Sequence, residues 1–365
     1  MKDNPPSLVW PRLLTLPPDN VKLVYLDLNH WIYLAQARSG HSRDTSLTKV
    51  LEACRAARRA SSTLFVLSFT HYFEVHKIKD PEQRRALADV MEELTGFATL
   101  VSRSVVMELE LATALDGFAR RAPPLPGVAL VGRGVRHCLG LQSGFKIVGP
   151  SGDETDRVRQ RLGAKAFDDF VADLNVRFER SLLRGPTDEE ARDLRARGWN
   201  PEGAMTIAQK RADEERKLRL RLDSESHWRR GPLRDVVAAR ELLTEFKSML
   251  PRSLQERSLV QSDLFHDAQS TRAFVRGMPS TEVAVELKTA WHRNRDKHWT
   301  VNDIQDIDAM SLAVPYCDIV VADKACYQAL DAAHLGERMN TALLRSLGDL
   351  PSALSDWKPK RPPGS

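Results

Sequence analysis

The sequence predicts an α/β protein whose parallel sheet is built from both ends of the chain. Three short apolar runs, at residues 21–26, 63–69 and 317–324, have the length and β-branched content of buried strands. Segments with apolar residues at helical spacing separate these runs, and this alternation is typical of a doubly wound sheet. The predicted helices cover residues 30–38, 46–60, 71–80, 81–101, 302–314 and 324–333, and residues 341–347 are a further strand candidate.

Local signals support individual helices. Pro81 stands at the first position of the 81–101 helix, where proline is favoured because its missing N–H has no partner to lose. Asn302 is the expected N-cap of the 302–314 helix. Residues 104–120 also read as helical, and the proline-rich residues 123–127 predict a turn before a glycine-rich loop.

A long interval interrupts the strand–helix pattern. From residue 153 to about 300 the chain is charged, arginine-rich and patterned as long helices. We therefore predict an α/β domain divided by a mostly α-helical insertion or cap. The predicted divisions are an irregular arm (1–20), the first part of the domain (21–104), the insertion (105–300), the second part of the domain (301–350) and a tail (351–365).

Composition narrows the class of protein. Hydrophobic residues make up 42% and charged residues 28%, which suits a soluble globular chain. No apolar run reaches the roughly 18 residues of a membrane span, and prolines interrupt the N-terminal residues where a signal peptide needs an apolar stretch, so we expect a cytoplasmic protein without a membrane partner. The four cysteines form no CxxC pair, which argues against a zinc ribbon. The net charge of +5 permits a polyanionic partner without requiring one.

Acidic residues gather at the predicted carboxyl edge of the sheet. Asp27 and Asp323 each end a buried strand, and Glu74 lies about one turn into the helix that follows the 63–69 strand. In open α/β sheets, ligands bind in the crevice beyond the carboxyl ends of the strands. The helix before the last buried strand adds Asp303, Asp306 and Asp308, and Asp318 precedes that strand.

Carboxylates that lie close together repel one another unless a cation neutralises them. Mg²⁺ and Mn²⁺ prefer oxygen ligands, and either ion can assist hydrolysis of a phosphodiester. A simpler interpretation exists for each residue alone. Asp27 or Asp323 could be an ordinary helix N-cap, Glu74 a solvated helix residue, and the acids at 303–308 favourable charge at a helix N-terminus.

Three segments together resemble a PIN-like nuclease domain: YLDLNHW, SFTHYFEV and DIDAMSLAVPYCDIVVADK. The resemblance covers roughly residues 20–104 and 300–350. It implies a small parallel sheet flanked by helices and a Mg²⁺- or Mn²⁺-dependent nuclease that acts on RNA in preference to DNA. Asp27, Glu74 and Asp323 match the family's first, second and last metal-binding acids. The third matches Asp306 or Asp308, and we favour Asp306. The long insertion departs from compact members of the family.

Other residues are candidates for supporting roles near these acids. They are Asn29, Thr70, Asp303, Asp318 and Lys324. A transition-metal site using His30, His71 and His76 is a minor alternative, because His71 and His76 lack the i,i+4 spacing of a helical zinc pair. The insertion also carries residues that could contact nucleic acid. Its basic candidates are Lys217, Arg219, Arg221, Arg229, Arg230 and Arg234, and its aromatic candidates are Trp228, Trp291 and Trp299. Solvated ion pairs explain the basic residues equally well, and helix packing explains the tryptophans.

The resulting hypothesis is a divalent-metal-dependent endonuclease. A toxin or phage-defence role, restrained by a regulatory partner protein, would follow from family analogy alone. Two rival classes stay open: an RNA- or protein-binding module on a catalytically weak nuclease fold, and a metal-dependent phosphohydrolase of small phosphate esters. A haloacid-dehalogenase mechanism is disfavoured because the first strand ends in DLNHW rather than a DxDx[TV] motif. The sequence leaves the oligomeric state open.

Overall fold

The computed structural model describes residues 8–40, 44–119, 126–141, 146–198, 200 and 202–357. The strands are, in chain order, β1 (Leu14–Thr15), β2 (Lys22–Leu26), β3 (Thr63–Val66), β4 (Ala98–Leu100), β5 (Val128–Ala129), β6 (Val131–Arg133), β7 (Val148–Gly149), β8 (Gly152–Asp153), β9 (Ile319–Val321) and β10 (Ala342–Leu344).

The helices of the two parts that flank the insertion are α1 (Leu28–Arg38), α2 (Thr45–Arg59), α3 (Phe69–Val75), α4 (Pro81–Thr95) and α5 (Arg103–Asp116), and then, after the insertion, α16 (Val301–Tyr316), α17 (Lys324–Ala332), α18 (Leu335–Met339) and α19 (Leu350–Asp356). Between them lie α6 (Gly134–Cys138), α7 (Thr155–Leu162), α8 (Ala164–Arg184), α9 (Asp188–Ala196), α10 (Glu202–Ser224), α11 (Ser226–Arg230), α12 (Leu233–Thr244), α13 (Met249–Glu256), α14 (Ala268–Gly277) and α15 (Pro279–Arg293). Short 3₁₀ helices cover Gln261–Asp263 and Leu347–Asp349.

The main sheet has four parallel strands in the order β10–β9–β2–β3. β2 lies at its centre and pairs with β3 on one side and with β9, from the other end of the sequence, on the other. The chain therefore winds outward in opposite directions from the β2–β9 pair. A switch point of this kind opens a crevice at the carboxyl ends of the two strands. The mixed α/β class and the assembly of the sheet from both ends of the sequence are confirmed.

Both faces of the sheet are covered by helices, which explains why its strands read as continuous apolar runs. Along β2, Leu23 and Tyr25 point into a core shared with helices α15 and α16, whereas Val24 and Leu26 point into a second core shared with helices α1, α2 and α4. The alternation follows from the two-residue period of a strand. The sheet edge that carries the acidic residues is thus held rigidly from both sides.

The interval between the two sheet-forming parts is mostly helical, as the sequence predicts. Helices α10, α12, α13 and α14 enclose a third core together with residues of α5 and α15. The boundary at residue 300 is not sharp, because α15 packs its buried residues into the core of the sheet as well. None of the described helices is long and apolar enough to cross a membrane.

Several local predictions differ from the structure. The helix expected over 81–101 ends at Thr95, because Gly96 adopts a left-handed conformation (φ 56°) that terminates it, and β4 follows. The arm over 1–20 includes β1, which pairs with β5, and the segment assigned to the tail includes most of α19. The glycine-rich region contains β5, β6, α6, β7 and β8. Much of the predicted turn at 123–127 lies outside the described residues.

Candidate metal centre

Two aspartates flank the crevice at the sheet's switch point. Asp27 directly follows β2, and Asp323 lies two residues beyond β9, with Leu26 and Val321 in register between the strands. Both residues are helix N-caps. The carboxylate of Asp323 accepts a 2.6 Å hydrogen bond from the Cys326 backbone N–H, whereas the carboxylate of Asp27 makes no capping bond. The N-cap interpretation is therefore correct for Asp323 and does not account for the buried Asp27 side chain.

Two further acids face the same crevice from neighbouring helices. Glu74 lies near the end of α3, and Asp306 lies in the second turn of α16, which packs against α3. Carboxylate oxygens of Asp306 and Asp323 and the Cys326 sulfur lie within 4.8 Å of one another. We refer to Asp27, Glu74, Asp306 and Asp323 as the acid cluster. It combines four segments that are far apart in the sequence.

Burial and mutual repulsion disfavour the ionised forms of Asp27, Glu74 and Asp306. Burial and the charge of Asp323 raise the pKa of Asp27 to about 6. Burial and the charge of Asp27 raise the pKa of Glu74 to about 7. The pKa of Asp306 lies well above its ordinary value because of burial and the charges of Asp27, Asp323 and Glu74. Such shifts are expected where buried carboxylates lie together without enough positive charge.

One cation, Lys77, lies at the edge of the acid cluster. Its ammonium group is 3.9 Å from Glu74 Oε1 and donates hydrogen bonds to Asn302 Oδ1 (2.7 Å) and to Gln305 Oε1. Lys77 offsets one of the four carboxylate charges and leaves an excess of three when all four are ionised. No local pattern indicates this role, since Lys77 lies in a stretch that resembles an ordinary solvated helix end.

Two buried histidines fix the backbone beside the two strand-end aspartates. His71 Nε2 donates a 2.8 Å hydrogen bond to the carbonyl of Leu26, the residue before Asp27, while His71 Nδ1 accepts one from the Ser68 N–H (3.0 Å). His30 Nε2 donates a 3.1 Å bond to the carbonyl of Ala322, the residue before Asp323. Burial lowers the pKa of His71 to about 4, and burial also lowers the pKa of His30, so both rings are neutral.

These contacts argue against a transition-metal site that uses His71. Both ring nitrogens of His71 are occupied by hydrogen bonds, which leaves no lone pair for a metal. His71 therefore positions the peptide before Asp27, whereas His30 holds the peptide before Asp323 through Nε2 and its Nδ1 makes no hydrogen bond to the described residues. Cys326 lies among the acids, but burial and the charges of Asp306 and Asp323 raise the pKa of its thiol well above the usual range. That shift disfavours the thiolate form that soft metals select.

Three of the sequence-selected acids serve other purposes. Asp308 forms ion pairs with Arg103 (2.8 Å) and Arg211 (2.6 Å) and is not part of the acid cluster. Asp303 lies one turn before Asp306, but its carboxylate completes a capping box with Thr300 and pairs with Lys297. Helix α16 therefore begins two residues earlier than expected, with Thr300 rather than Asn302 as its N-cap.

Asp318 lies at the opposite end of β9 and accepts a 2.8 Å hydrogen bond from the Leu23 N–H. Its role is to join two strands at the amino edge of the sheet. Among the proposed supporting residues, Asn29 Nδ2 donates to Asp27 Oδ2 over 3.4 Å, which fits the expected role. Thr70 is buried, and its hydroxyl contacts Ser68 Oγ at 2.7 Å. Lys324 is the exposed first residue of α17.

The basic residues of the insertion are largely engaged in contacts within the protein. Ion pairs with neighbouring carboxylates engage four of them: Lys217, Arg221, Arg229 and Arg234, the last of which contacts Glu282 and Glu286. Hydrogen bonds engage the other two, since Arg219 donates to backbone carbonyls and Arg230 donates to Ser226. Trp291 and Trp299 are buried and pack edge-on against each other, and Trp228 lies under the Arg221 guanidinium. These contacts favour the helix-packing interpretation over a phosphate-tracking surface.

The acid cluster is the group of residues that points most directly to chemistry. It lies where ligands bind in sheets of this topology, its acids repel one another, and two histidines and Asn29 hold its strand ends in place. Oxygen donors in this number suit a hard divalent cation. Comparison of the chain with models of protein families, with curated proteins and with solved structures found no match in any of the three.

Proposed function

We propose that this chain is a divalent-metal-dependent endonuclease of the PIN-like kind that hydrolyses phosphodiester bonds, in RNA rather than DNA. The observation that carries the proposal is the acid cluster, in which one buried and three partly buried carboxylates lie around the switch point with Lys77 at their edge. The order of these acids along the chain (after the first strand, in the helix after the second, in the helix before the third and after the third) agrees with the resemblance to PIN-like domains.

Asp27, Glu74, Asp306 and Asp323 would hold one or two Mg²⁺ or Mn²⁺ ions. The residues fit such an ion because their mutual repulsion, which raises three of the four pKa values, is relieved by added positive charge. When bound, the ion supplies Lewis acidity toward a phosphodiester and lowers the pKa of water.

The chain's own residues would prepare this site for a nucleic acid. His30 and His71 fix the peptides before Asp323 and Asp27, so these carboxylates are placed before substrate arrives. Asn302 and Gln305 hold the Lys77 ammonium at the rim of the cluster, where it can donate to a phosphate oxygen of the bound strand.

The decisive experiment measures cleavage of transfer RNA, ribosomal RNA, single-stranded RNA and single-stranded DNA with Mn²⁺, Mg²⁺ or EDTA. Asp27→Asn removes one carboxylate charge with little change of shape. Asp331→Asn is the matched control, because Asp331 is an exposed acid on α17, the helix that Asp323 caps. Calorimetric titration of the same proteins with Mn²⁺ reports on the site independently of any substrate.

Metal-dependent cleavage that disappears with Asp27→Asn and persists with Asp331→Asn would support the proposal. Tight, salt-sensitive RNA binding without cleavage would instead indicate a binding module. Hydrolysis of small phosphate esters without cleavage of any nucleic acid would indicate a phosphohydrolase. Unchanged Mn²⁺ affinity in the Asp27→Asn protein would refute the assignment of the site.

A further inference from the structure

A second cavity lies beside the acid cluster, on the side of α16 that carries Asp308. It has a volume of about 330 Å³, a size that holds a small organic ligand, and it is open to solvent. The first turns of α3 and α5 and parts of α10 and α16 form its walls. We call it the side pocket and define it by Phe69, Thr70, Arg103, Ile207, Arg211 and Asp308.

The rim of the side pocket presents apolar surface to solvent. Phe69 is 38% exposed and Ile207 is 67% exposed, although both are residues that normally bury themselves. The Phe69 ring also packs against the Phe73 ring, with centroids 6.1 Å apart, which holds it in a defined orientation. A fixed, accessible aromatic ring is the feature on which proteins stack unpaired bases.

The floor of the side pocket is polar. Arg103 and Arg211 both donate to the Asp308 carboxylate, and the hydroxyl groups of Ser102 and Ser104 lie 3.0 Å apart at the pocket's edge. Arg103 Nε is buried and has no hydrogen-bond partner within the part of the chain that the structure describes. The hydroxyl groups at the pocket's edge can donate and accept hydrogen bonds, which suits the edge of a planar heterocycle.

Two helices connect the side pocket to the acid cluster. α3 carries Phe69 at its start and Glu74 five residues later, which is about 7.5 Å along the helix axis. α16 carries Asp306 in the acid cluster and Asp308 in the side pocket. Phe69 and Glu74 are therefore less than two helical turns apart along α3. A base in this pocket would be a close neighbour of a phosphate at the acids.

We propose that the side pocket binds one unpaired base of a nucleic-acid strand next to the bond that is cleaved, with the base stacked on Phe69. This inference rests on the proposed nuclease function and adds to it a binding site for one unpaired base beside the acid cluster. A base within a duplex is already stacked and paired, so its face is not available to Phe69.

The test uses a short single-stranded RNA that carries the fluorescent base 2-aminopurine at successive positions. It is bound to the Asp27→Asn protein so that cleavage does not interfere. Stacking on Phe69 should quench the fluorescence at one position of the probe, and Phe69→Ala added to this protein should remove that quenching and weaken binding by about 5- to 100-fold. Phe69→Trp should restore both. Phe170→Ala, at a phenylalanine on α8 that is 47% exposed, is the matched control and should change neither.

Quenching that survives Phe69→Ala would overturn the inference, as would equal affinity for the single strand and for a duplex of the same sequence. Absence of RNA binding by both the Asp27→Asn and the wild-type protein would also overturn it. The proposed nuclease function fails separately, through absence of metal-dependent cleavage by the wild-type protein. Base stacking without cleavage would therefore support the base-binding pocket and refute the proposed nuclease function.

Discussion

Asp306 and Asp308 are two residues apart on one helix, yet they lie in opposite electrostatic environments. Asp306 faces Asp27, Glu74 and Asp323, and burial together with these charges raises its pKa well above the ordinary value. Asp308 is partly buried, and desolvation on its own would raise its pKa, but Arg211 and Arg103 lower that pKa to about 2. One carboxylate therefore disfavours its negative charge, whereas the other is stabilised as an anion.

Asp308 belongs to a larger set of buried charges, here called the ion-pair network. Its members are Arg103, Arg211, Glu215, Glu241, Glu245, Lys288, His292 and Asp308. The Lys288 ammonium group contacts two of these carboxylates, that of Glu241 at 2.6 Å and that of Glu215 at 2.9 Å. The network joins α5 and α16 to the insertion helices α10, α12 and α15. Its positive and negative charges largely compensate one another, so a structural role in packing the helices is enough to explain the network.

The comparison separates two uses of buried acids. In the ion-pair network each carboxylate has a cation within hydrogen-bond distance, and removing one partner leaves a buried charge uncompensated. In the acid cluster the carboxylates outnumber the cations, and this excess of negative charge opposes ionisation of the carboxyl groups. Burial of an acid is therefore not by itself a sign of function in this protein. The sign is an excess of carboxylates over cations around that acid.

The largest expected effects come from removing the charge of each aspartate in turn. Asp306→Asn should lower metal-dependent cleavage by about 10²- to 10³-fold, because interactions with the ion are worth several kcal/mol in the transition state. The same change should leave the free energy of unfolding in EDTA unchanged or raise it. Asp308→Asn should lower the free energy of unfolding by about 3 kcal/mol, because it leaves Arg103 and Arg211 partly unpaired.

Urea unfolding in EDTA and Mn²⁺ titration, applied to both variants, measure these two quantities independently. The contrast between the two regions fails if Asp306→Asn destabilises the metal-free protein as strongly as Asp308→Asn does. It also fails if Asp308→Asn, once folded, loses Mn²⁺ binding to the same extent as Asp306→Asn.

Asp306 and Asp308 also show which features of the site can be predicted from the sequence. Strand-end acids are predictable, because a buried apolar run followed by aspartate marks the carboxyl edge of a parallel sheet, and Asp27 and Asp323 lie there. Helical spacing alone could not decide between Asp306 and Asp308, since the deciding partners, Arg103 and Arg211, are 205 and 97 residues away from Asp308 in sequence.

Other features stayed hidden for related physical reasons. The roles of His30 and His71 depend on which backbone carbonyl each ring meets across the sheet edge, and no local pattern records such a contact. Lys77 resembles a solvated residue because Asn302 and Gln305, which hold it, come from the far end of the sequence. The early end of α4 is different, because Gly96 was a readable stop signal within an apolar pattern that appeared to continue.

A smaller effect is expected from His71, which acts on the acid cluster through the backbone. His71→Ala should weaken Mn²⁺ binding by about 10- to 100-fold, the usual consequence of losing a group that orients a metal ligand. His71→Gln keeps an N–H that can reach the Leu26 carbonyl and should recover part of that affinity. Isothermal titration with Mn²⁺ measures both, and circular dichroism at the same temperature confirms that each variant is folded.

A purely structural role for His71 would give a different result. Both variants would then lose stability while their folded fractions bound Mn²⁺ with wild-type affinity. A His30→Gln variant extends the test to the other strand end, because His30 Nε2 makes the equivalent bond to Ala322. If only the His71 variants affect Mn²⁺ affinity, the two histidines are not equivalent and Asp27 is the more sensitive ligand.

The smallest effect is a dependence of stability on pH that distinguishes the two aspartates. A carboxyl group whose pKa is raised by folding binds more protons in the folded state, so the free energy of unfolding falls as pH rises toward the folded pKa. For Glu74 the window runs from its ordinary value of 4.5 to about 7, and for Asp306 it begins at 3.8 and ends well above that value. Near and below pH 6.5 a set of histidines with lowered pKa values opposes this trend, because their unfolded imidazoles take up protons there; they are His30, His71, His76, His137 and His292.

The comparison is therefore made between variants from pH 6.5 to 8, because the histidine contribution is common to them and the pKa of Glu74, about 7, lies in this interval. In EDTA the acids should lower the unfolding free energy of the wild-type protein by about 1 kcal/mol across this interval. Asp306→Asn should make the slope less negative, and Glu74 should maintain the remainder. Asp308→Asn should lower the whole curve and leave the slope intact, because the pKa of Asp308, about 2, lies far below the interval. Saturating Mn²⁺ should reverse the wild-type slope, since the ion and protons compete for the same carboxylates. Equal slopes in EDTA for wild type and Asp306→Asn would mean that Asp306 is not the strained acid, and the contrast with Asp308 would lose its electrostatic basis.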